Sequence, residues 1–539
     1  MRVADFFCGA GGFSEGFRQA GFEILFAVDK WEPAITTYKA NKPSCRVIQD
    51  DVIRISRLPD DEFHMLIPDT EVIIGSPPCV AFSNSNKSGN GDKSLGIDLL
   101  KAYLRIVARK KFKPDSILQY WVLENVPNIR KYIEETYSAA ELELDGEFSL
   151  TPMNKSTGIY NAKYFGAPTN RKRFLCGEFP TPQTTNTDAN IITLRTVLDS
   201  LGEPCVNEDK FIQDCNYEGL SLPLGELTDH QYRYLLQPFE WKTAKRLKED
   251  KGYMGKMSFP ENLDNPARTV MATMSASSRE SMILPAMHGN YRLPTVREAA
   301  SMMSFPIDYR FYGISKGIKH TLVGNAVPPK MSYAIAKAIL SNAGEPILHG
   351  YTPIQHDETI PFLDLNNTSF APKKEQPKKA KAKFKYHIPY LIVNAYRVEL
   401  TNYHSDFENK AFQWDVEIHY SQGKGKARMY CPIIGPEVWD KRLLIKWEEV
   451  IANIVPHMCK SPKRFQEIYC MASEKRIAGN HIGPFELLDT VKEYIDKNID
   501  ASASEPLYVS DDLPRLPMEI GVGYYILNQV LKQTMREEL

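Results

Sequence analysis

MRVADFFCGAGGFSEGFRQAGFEILFAVD, residues 1–29, decides the fold. An apolar run breaks at Gly9, Gly11 and Gly12, a helical stretch follows, and a second apolar run ends in Asp29. This is a strand, a glycine-rich turn, a helix and a strand, with an acidic residue about twenty positions past the first glycine. Glycines at such a turn let the backbone approach a ligand closely. A carboxylate at the end of the second strand can accept both hydroxyls of a ribose, so the unit predicts an adenosine-containing cofactor. For the glycines taken alone, a tight turn that binds nothing is the alternative.

Working outward, EVIIGS (71–76) and YWVLEN (120–125) read as further buried strands separated by helical stretches. That alternation predicts a doubly wound, Rossmann-like α/β domain, its parallel sheet covered by helices on both faces. Polar or reactive residues stand where each apolar run stops, at the carboxyl ends of strands where ligands collect in such sheets. GSPPCVAFSNSNKSGNG (75–91) holds Cys79 on a backbone stiffened by two prolines, ahead of a polar loop that can close over a substrate. A small buried residue is the alternative for Cys79. Glu124, at the exit of its strand, can hold or deliver a proton, against a turn or capping role. In YFGAPTNRKRFLCGEF (164–179), Arg171 and Arg173 sit two apart at the start of a strand, which predicts that both point to one face.

The 539 residues are too many for one ordinary core and predict two to four structural units. Apolar content of 43% and charged content of 25% describe a folded globular chain, not a disordered or fibrous one. A net charge of -1 excludes a uniformly basic protein, so any nucleic-acid surface must be local. The nine cysteines include no Cys-x-x-Cys pair, which predicts reduced thiols and no metal finger. With no signal core after the first residues and no apolar run of about eighteen, the expectation is a cytoplasmic protein without a membrane span.

The strand and helix alternation fades after Pro180 and returns at Tyr291. Residues 1–180 and 291–345 are therefore expected to form the catalytic domain, interrupted by an inserted unit at 181–290. Residues 346–385 read as a linker, ending in NNTSFAPKKEQPKKAKAKFK (366–385) with seven lysines against one glutamate. Beyond it, AFQWDVEIHY (411–420) alternates Phe412, Trp414, Val416, Ile418 and Tyr420 with polar residues, a period-2 strand. FELLDTVKEYI (485–495) and YYILNQVLKQTM (524–535) have helical spacing, so 386–539 is expected to be an α+β domain.

These segments, in this order, resemble the cytosine-5 DNA methyltransferase family of prokaryotic type. Phe-x-Gly-x-Gly-Gly, Pro-Pro-Cys, Glu-Asn-Val, Arg-x-Arg, RLPTVREAASMMSFP (292–306) and VGNAVPP (323–329) match successive family motifs over about residues 1–180 and 266–340. The resemblance implies that Phe7, Gly9, Ala10, Gly11 and Gly12 line S-adenosylmethionine, with Asp29 on its ribose and Lys30 beside its adenine. Asp51 and Val52 would meet the adenine edge with Leu99 packed nearby, and Asn325 and Ala326 would hold the methionine end. Cys79 would be the nucleophile, Glu124 the group at cytosine N3 and Arg173 the contact to O2, with Arg171 supporting the catalytic loop.

The resemblance also implies double-stranded DNA as substrate, S-adenosylhomocysteine as product, no metal, a nucleoid location in a prokaryotic cell, and target recognition by 181–290. Val80 and Thr169 depart from the family, which usually has glutamine at both places, and this puts the details of base flipping in doubt. An RNA substrate is the less favoured alternative, since the Cys-Phe-Thr tripeptide of the RNA-methylating branch is missing. For 386–539 two readings stand: recruitment of a protein partner or extra DNA, and a fused nuclease for which Asp406, Glu408 and Lys410 have suitable types at unsuitably close spacing.

Overall fold

The structure is a computed structural model that describes residues 1–78, 93–205, 210–249, 256–421, 428–499, 505–509 and 514–535. Cys79 and Val80 lie outside these described residues. Contacts divide the chain into two units, 1–236 with 260–372, and 237–259 with 373–539.

The first unit is built on strands β1 (Arg2–Phe6), β2 (Glu23–Asp29), β3 (Arg46–Gln49), β4 (Val72–Gly75), β5 (Tyr120–Asn125), β6 (Gly158–Asn161) and β7 (Lys172–Glu178). They form one sheet in the order β3-β2-β1-β4-β5-β7-β6. The first five strands are parallel, while β7 runs antiparallel to both β5 and β6. The all-parallel expectation therefore holds only to β5. Residues 162–171 are too few for a crossover helix, so β6 and β7 pair antiparallel.

Strand alternation sends one set of side chains to each face. Val3, Ile24, Val72 and Val122 pack with Phe13 and Phe17 of α1 (Gly12–Ala20), Ile35 of α2 (Glu32–Asn41) and a later helix. Ala4, Phe26, Ile73 and Trp121 pack on the opposite face. There they meet Val52 and Ile55 of α3 (Val52–Ser56), Phe63 of α4 (Asp60–Leu66), and Tyr103 and Ile106 of α5 (Ser94–Lys111). Strand order reverses between β1 and β4, and that switch point is where such sheets hold ligands.

Most of the inserted region belongs to this unit. Leu194 and Val197 of α6 (Leu194–Leu201) share a core with later residues of the same unit. The exception is α7 (Pro238–Glu249), which falls in the second unit, where Arg246 pairs with Asp489 and lies over the Phe485 ring. The unit's last helices are α8 (Val296–Met302), α9 (Lys316–Asn325) and α10 (Pro329–Ala343), whose Met331 and Ile335 complete the α1 face. Thr295 and Glu298 form a capping box on α8, and Arg292 grips the same buried Glu298 at 2.7 and 2.8 Å.

The stretch read as a linker from 346 does not run free in its first part. Tyr351 bonds Asp308, Asp357 N donates to Ala40 O at 2.9 Å, and Leu365 N donates to Asp229 Oδ1 at 3.0 Å. Side-chain and backbone bonds hold the segment where apolar periodicity is lacking.

The second unit has an antiparallel sheet of β8 (Lys385–His387), β9 (Tyr396–Thr401), β10 (Asp415–Tyr420) and β11 (Arg428–Tyr430), in chain order. Besides α7, its helices among the described residues are α11 (Lys441–Ile454), α12 (Pro462–Cys470), α13 (Ser473–Ala478), α14 (Pro484–Asn498) and α15 (Met518–Thr534). Val398, Leu400, Val416 and Ile418 face a core with Trp447, Leu487 and Ile526. Among the described residues no helix is long and apolar enough to cross a membrane.

Candidate active site

The first turn leaves β1 through left-handed backbone, with positive φ at Phe7, Gly9 and Gly11. Asp29, ending β2, accepts from Gly9 N and Trp31 N, both at 2.9 Å. Burial raises its pKa against the pull of these backbone bonds. A Cβ added to Gly9 meets nothing within 4 Å, so the turn faces open space there. Gly12 is the opposite case: its Cβ would stand 2.3 Å from Val327 O and 3.2 Å from Ala326 Cβ. That contact brings the predicted Asn325–Ala326 segment, at the α9 C-terminus, against the glycine turn.

Beneath the turn lies a buried polar platform that sequence reasoning missed. Tyr309 donates its hydroxyl to Ala10 O, and Lys42 Nζ donates to Gly11 O at 3.3 Å and to Tyr309 Oη at 3.0 Å. Lys42 also stands 3.3 Å from Glu15, which Arg18 and Gln19 bond as well. Burial lowers the Lys42 pKa against the opposing charge of Glu15. Burial likewise pushes Asp5, bonded by Tyr38, up to about 7.

Farther along the strand ends, Lys30 Nζ and Asp51 Oδ2 form an exposed pair at 2.8 Å, and Asp51 Oδ1 caps α3 at Ile53 N. The Lys30 hydrogen bond holds Asp51 below the usual carboxylate range. Val52 is buried below them, and Leu99 is half-buried on α5.

At the end of β5, Glu124 Oε2 accepts from Ser76 Oγ at 2.5 Å, and Oε1 stands 2.8 Å from Arg173 Nε. Oε1 makes no hydrogen bond among the described residues, so its approach to Arg173 is a charge contact without good alignment. The two side chains are 4% and 10% exposed. Asn125 Nδ2 donates to Pro77 O at 2.8 Å. Ser76 and Asn125 thus tie the last residues before Cys79 to the strand that carries Glu124. The polar pair flanking two apolar runs was the only sequence signal for them.

Arg171 takes a different place from Arg173. Strand β7 begins at Lys172, and Thr169–Asn170 pairs separately with Ala267–Arg268. The Arg171 guanidinium donates to Val270 O at 3.1 Å, Gly324 O at 2.9 Å and Ala326 O at 3.0 Å. It braces the Asn325 segment. Thr169 is buried, its hydroxyl bonded to Arg268 O at 3.2 Å.

The sheet and the polar residues at its strand ends define a class: a doubly wound α/β protein with a nucleotide-type turn after β1 and a buried carboxylate–guanidinium pair on β5 and β7. The chain belongs to the family of C-5 cytosine-specific DNA methylases, whose model matches residues 1–341. It is 29% identical to the type II methyltransferase M.MthTI of Methanothermobacter thermautotrophicus, covering 63% of this chain and 97% of that one. It is 29% identical to the type II methyltransferase M1.HphI of Haemophilus parahaemolyticus, over 63% and 87%. A putative type II methyltransferase of Methanocaldococcus jannaschii, M.MJ0563P, is 30% identical over 63% and 99%. Family membership makes the chain a methyltransferase.

Proposed function

We propose that the chain transfers a methyl group from S-adenosylmethionine to C5 of a cytosine flipped out of double-stranded DNA, through a covalent bond between Cys79 and C6. The observation that carries this is the buried Glu124–Arg173 contact, 2.8 Å long, on the strand bonded to the residues that lead into Cys79. The open space at Gly9 and the Asp29 carboxylate suit the cofactor's amino acid and ribose ends. Phe7, Ala10, Gly11, Gly12, Lys30, Asp51, Val52, Leu99, Asn325 and Ala326 are its remaining proposed neighbours.

Bound there, S-adenosylmethionine supplies a methyl on a sulfonium and is left as S-adenosylhomocysteine. C5 of cytosine is too weak a nucleophile to take that methyl unaided. The Cys79 thiolate adds to C6, and the displaced π electrons make C5 nucleophilic. Glu124 protonates or hydrogen-bonds N3, while Arg173 offsets the charge at O2. After transfer, a base takes the C5 proton and the C5–C6 double bond re-forms as the thiolate leaves. A free thiol, with a pKa near 8.5, is only a few per cent ionised at neutral pH, so positive charge near Cys79 matters. Extruding the base costs a few kcal/mol.

Residues 181–290 are the proposed target reader, placing side chains at base edges in the major groove. The relatives' designation as type II methyltransferases supports a role in restriction–modification, and with it a cytoplasmic, nucleoid-associated protein. Bisulfite sequencing of DNA from cells that express the chain tests the activity. Protected cytosines at one recurring sequence are expected, and none after Cys79→Ser. Methylation undiminished in that variant, or no covalent adduct with 5-fluorocytosine DNA, overturns the mechanism.

A further inference from the structure

The outer face of the second unit's sheet is charged and yet largely buried. Strand register sets Glu399 directly opposite Glu417, and Arg397 opposite His419. Glu399, Glu417 and His419 are 6%, 2% and 7% exposed. One ligand atom from each lies within 4.8 Å of the others. His419 Nε2 stands 2.7 Å from Glu417 Oε2 and 3.1 Å from Glu399 Oε2. Only the first of these is a hydrogen bond. Glu399 Oε2 takes none among the described residues, though it is buried and aimed into the cluster. A buried carboxylate oxygen without a donor is expensive unless a charge meets it.

In the structure the charge that meets this oxygen is the Lys385 ammonium, 3.4 Å away, beyond good hydrogen-bond geometry. Lys385 Nζ is 3.0 Å from Glu417 and 3.4 Å from Glu399, and Arg397 Nε is 2.5 Å from Glu399 Oε1. Asp415 pairs with His404 at 2.9 Å, and His404 reaches within 3.8 Å of Glu417. Three carboxylates, of Glu399, Asp415 and Glu417, face two fixed cations, Lys385 and Arg397. Both cations keep partly exposed side chains, 31% and 25%, and can turn outward. Ligand atoms about 2.0–2.2 Å from an ion lie roughly 3–4 Å from one another; His419 Nε2 and Glu399 Oε2 already stand 3.1 Å apart, while His419 Nε2 and Glu417 Oε2 must part from their 2.7 Å hydrogen bond.

We propose that Glu399, Glu417 and His419 bind a divalent first-row transition cation, Mn2+ or Zn2+, in the second unit, with Lys385 as the group it displaces. One imidazole nitrogen with two carboxylates suits these ions better than Ca2+, which takes oxygen ligands. The other explanation is a closed ion-pair network. Asp406, Glu408 and Lys410 are not part of the site: Asp406 caps the backbone of Glu408 and Asn409 on an exposed turn, and Glu408 pairs with Lys381.

The test is an Mn2+ titration of the full chain followed by electron paramagnetic resonance, with Zn2+ competition. One bound Mn2+ per chain is expected, displaced by Zn2+ and lost in His419→Ala and Glu399→Gln. Lys385→Met, a change at a partly exposed position, removes the competing ammonium and should tighten binding by about tenfold. Failure of the wild-type chain to bind either ion, undiminished binding by His419→Ala, or weaker binding by Lys385→Met overturns the proposal.

Discussion

Glu124→Gln keeps the side chain's size and one acceptor oxygen but removes its charge and its acidity. Two consequences differ in size and can be measured apart. In the folded chain Arg173 loses its anion at 2.8 Å, in a pair whose members are 10% and 4% exposed. Removing one partner of a buried pair typically destabilises by about 3–5 kcal/mol. The glutamine carbonyl can still accept from Ser76 or Arg173, so the loss should fall at or below the lower end of that range. In the reaction, a positioned proton donor is worth about 10²–10⁴-fold, or about 2.7–5.5 kcal/mol of barrier. Single-turnover methyl transfer at saturating cofactor reads the second effect, and chemical denaturation of the same sample reads the first. The expected result is a rate reduced by at least about a hundredfold, with cofactor affinity little changed because Asp29, ending β2, and Gly9, in the turn after β1, lie outside β5. A rate within about threefold of wild type, in a protein that folds, would refute the role given to Glu124.

Asp29→Ala removes the acceptor of Gly9 N and Trp31 N, charge-assisted bonds worth about 1.5–3 kcal/mol each; calorimetry should show cofactor affinity falling more than about tenfold, and unchanged affinity would remove Asp29 from the site. His320, on α9, is 2% exposed, and both its ring nitrogens lack partners among the described residues. Burial lowers its pKa to about 3, so the unfolded chain takes the proton first, and its stability is present above about 6.5 and lost as pH falls toward 3. His320→Leu should therefore gain on wild type as pH falls through that window, by up to about 1.4 kcal/mol per pH unit, and denaturation curves that run parallel at pH 7 and pH 5 would contradict this. A chain ending at residue 372 strips α7 of Asp489 and Phe485; limited proteolysis should cut it within 237–259 faster than the full chain, and equal resistance would argue against α7 belonging to the second unit.

What the sequence reveals is what the backbone needs locally. Residues 1–29 announce a strand, turn, helix and strand because the glycines and the terminal Asp29 are each required within one short unit. Glu124 was legible because a carboxylate at the end of an apolar strand is out of keeping with burial. The platform under the turn was not legible: Tyr309 reaches Ala10, and Lys42 reaches Tyr309, across hundreds of residues, and neither has a local pattern that marks it as buried. The antiparallel β7 escaped notice because an apolar strand carries no direction in its sequence. Glu399, Glu417 and His419 look like the solvated half of two amphipathic strands, and only the pairing register brings them together.

The two arginines show how a pattern can be right about residue types and silent about their work. Two residues apart before an apolar strand, they invite a single role. Because the strand starts at Lys172, only Arg173 lies within the sheet, where it meets Glu124; Arg171 stays in the connection, held by the pairing of Thr169–Asn170 with Ala267–Arg268. From there it grips carbonyls at 270, 324 and 326, all far later in the chain. A guanidinium can do this because its several donors lie in one rigid plane, which a lysine at the same place cannot reproduce. The consequence is mechanical: the proposed cofactor side at Asn325 and the proposed base side at Arg173 are joined through two residues of backbone. A change in one should be felt by the other before either meets its ligand.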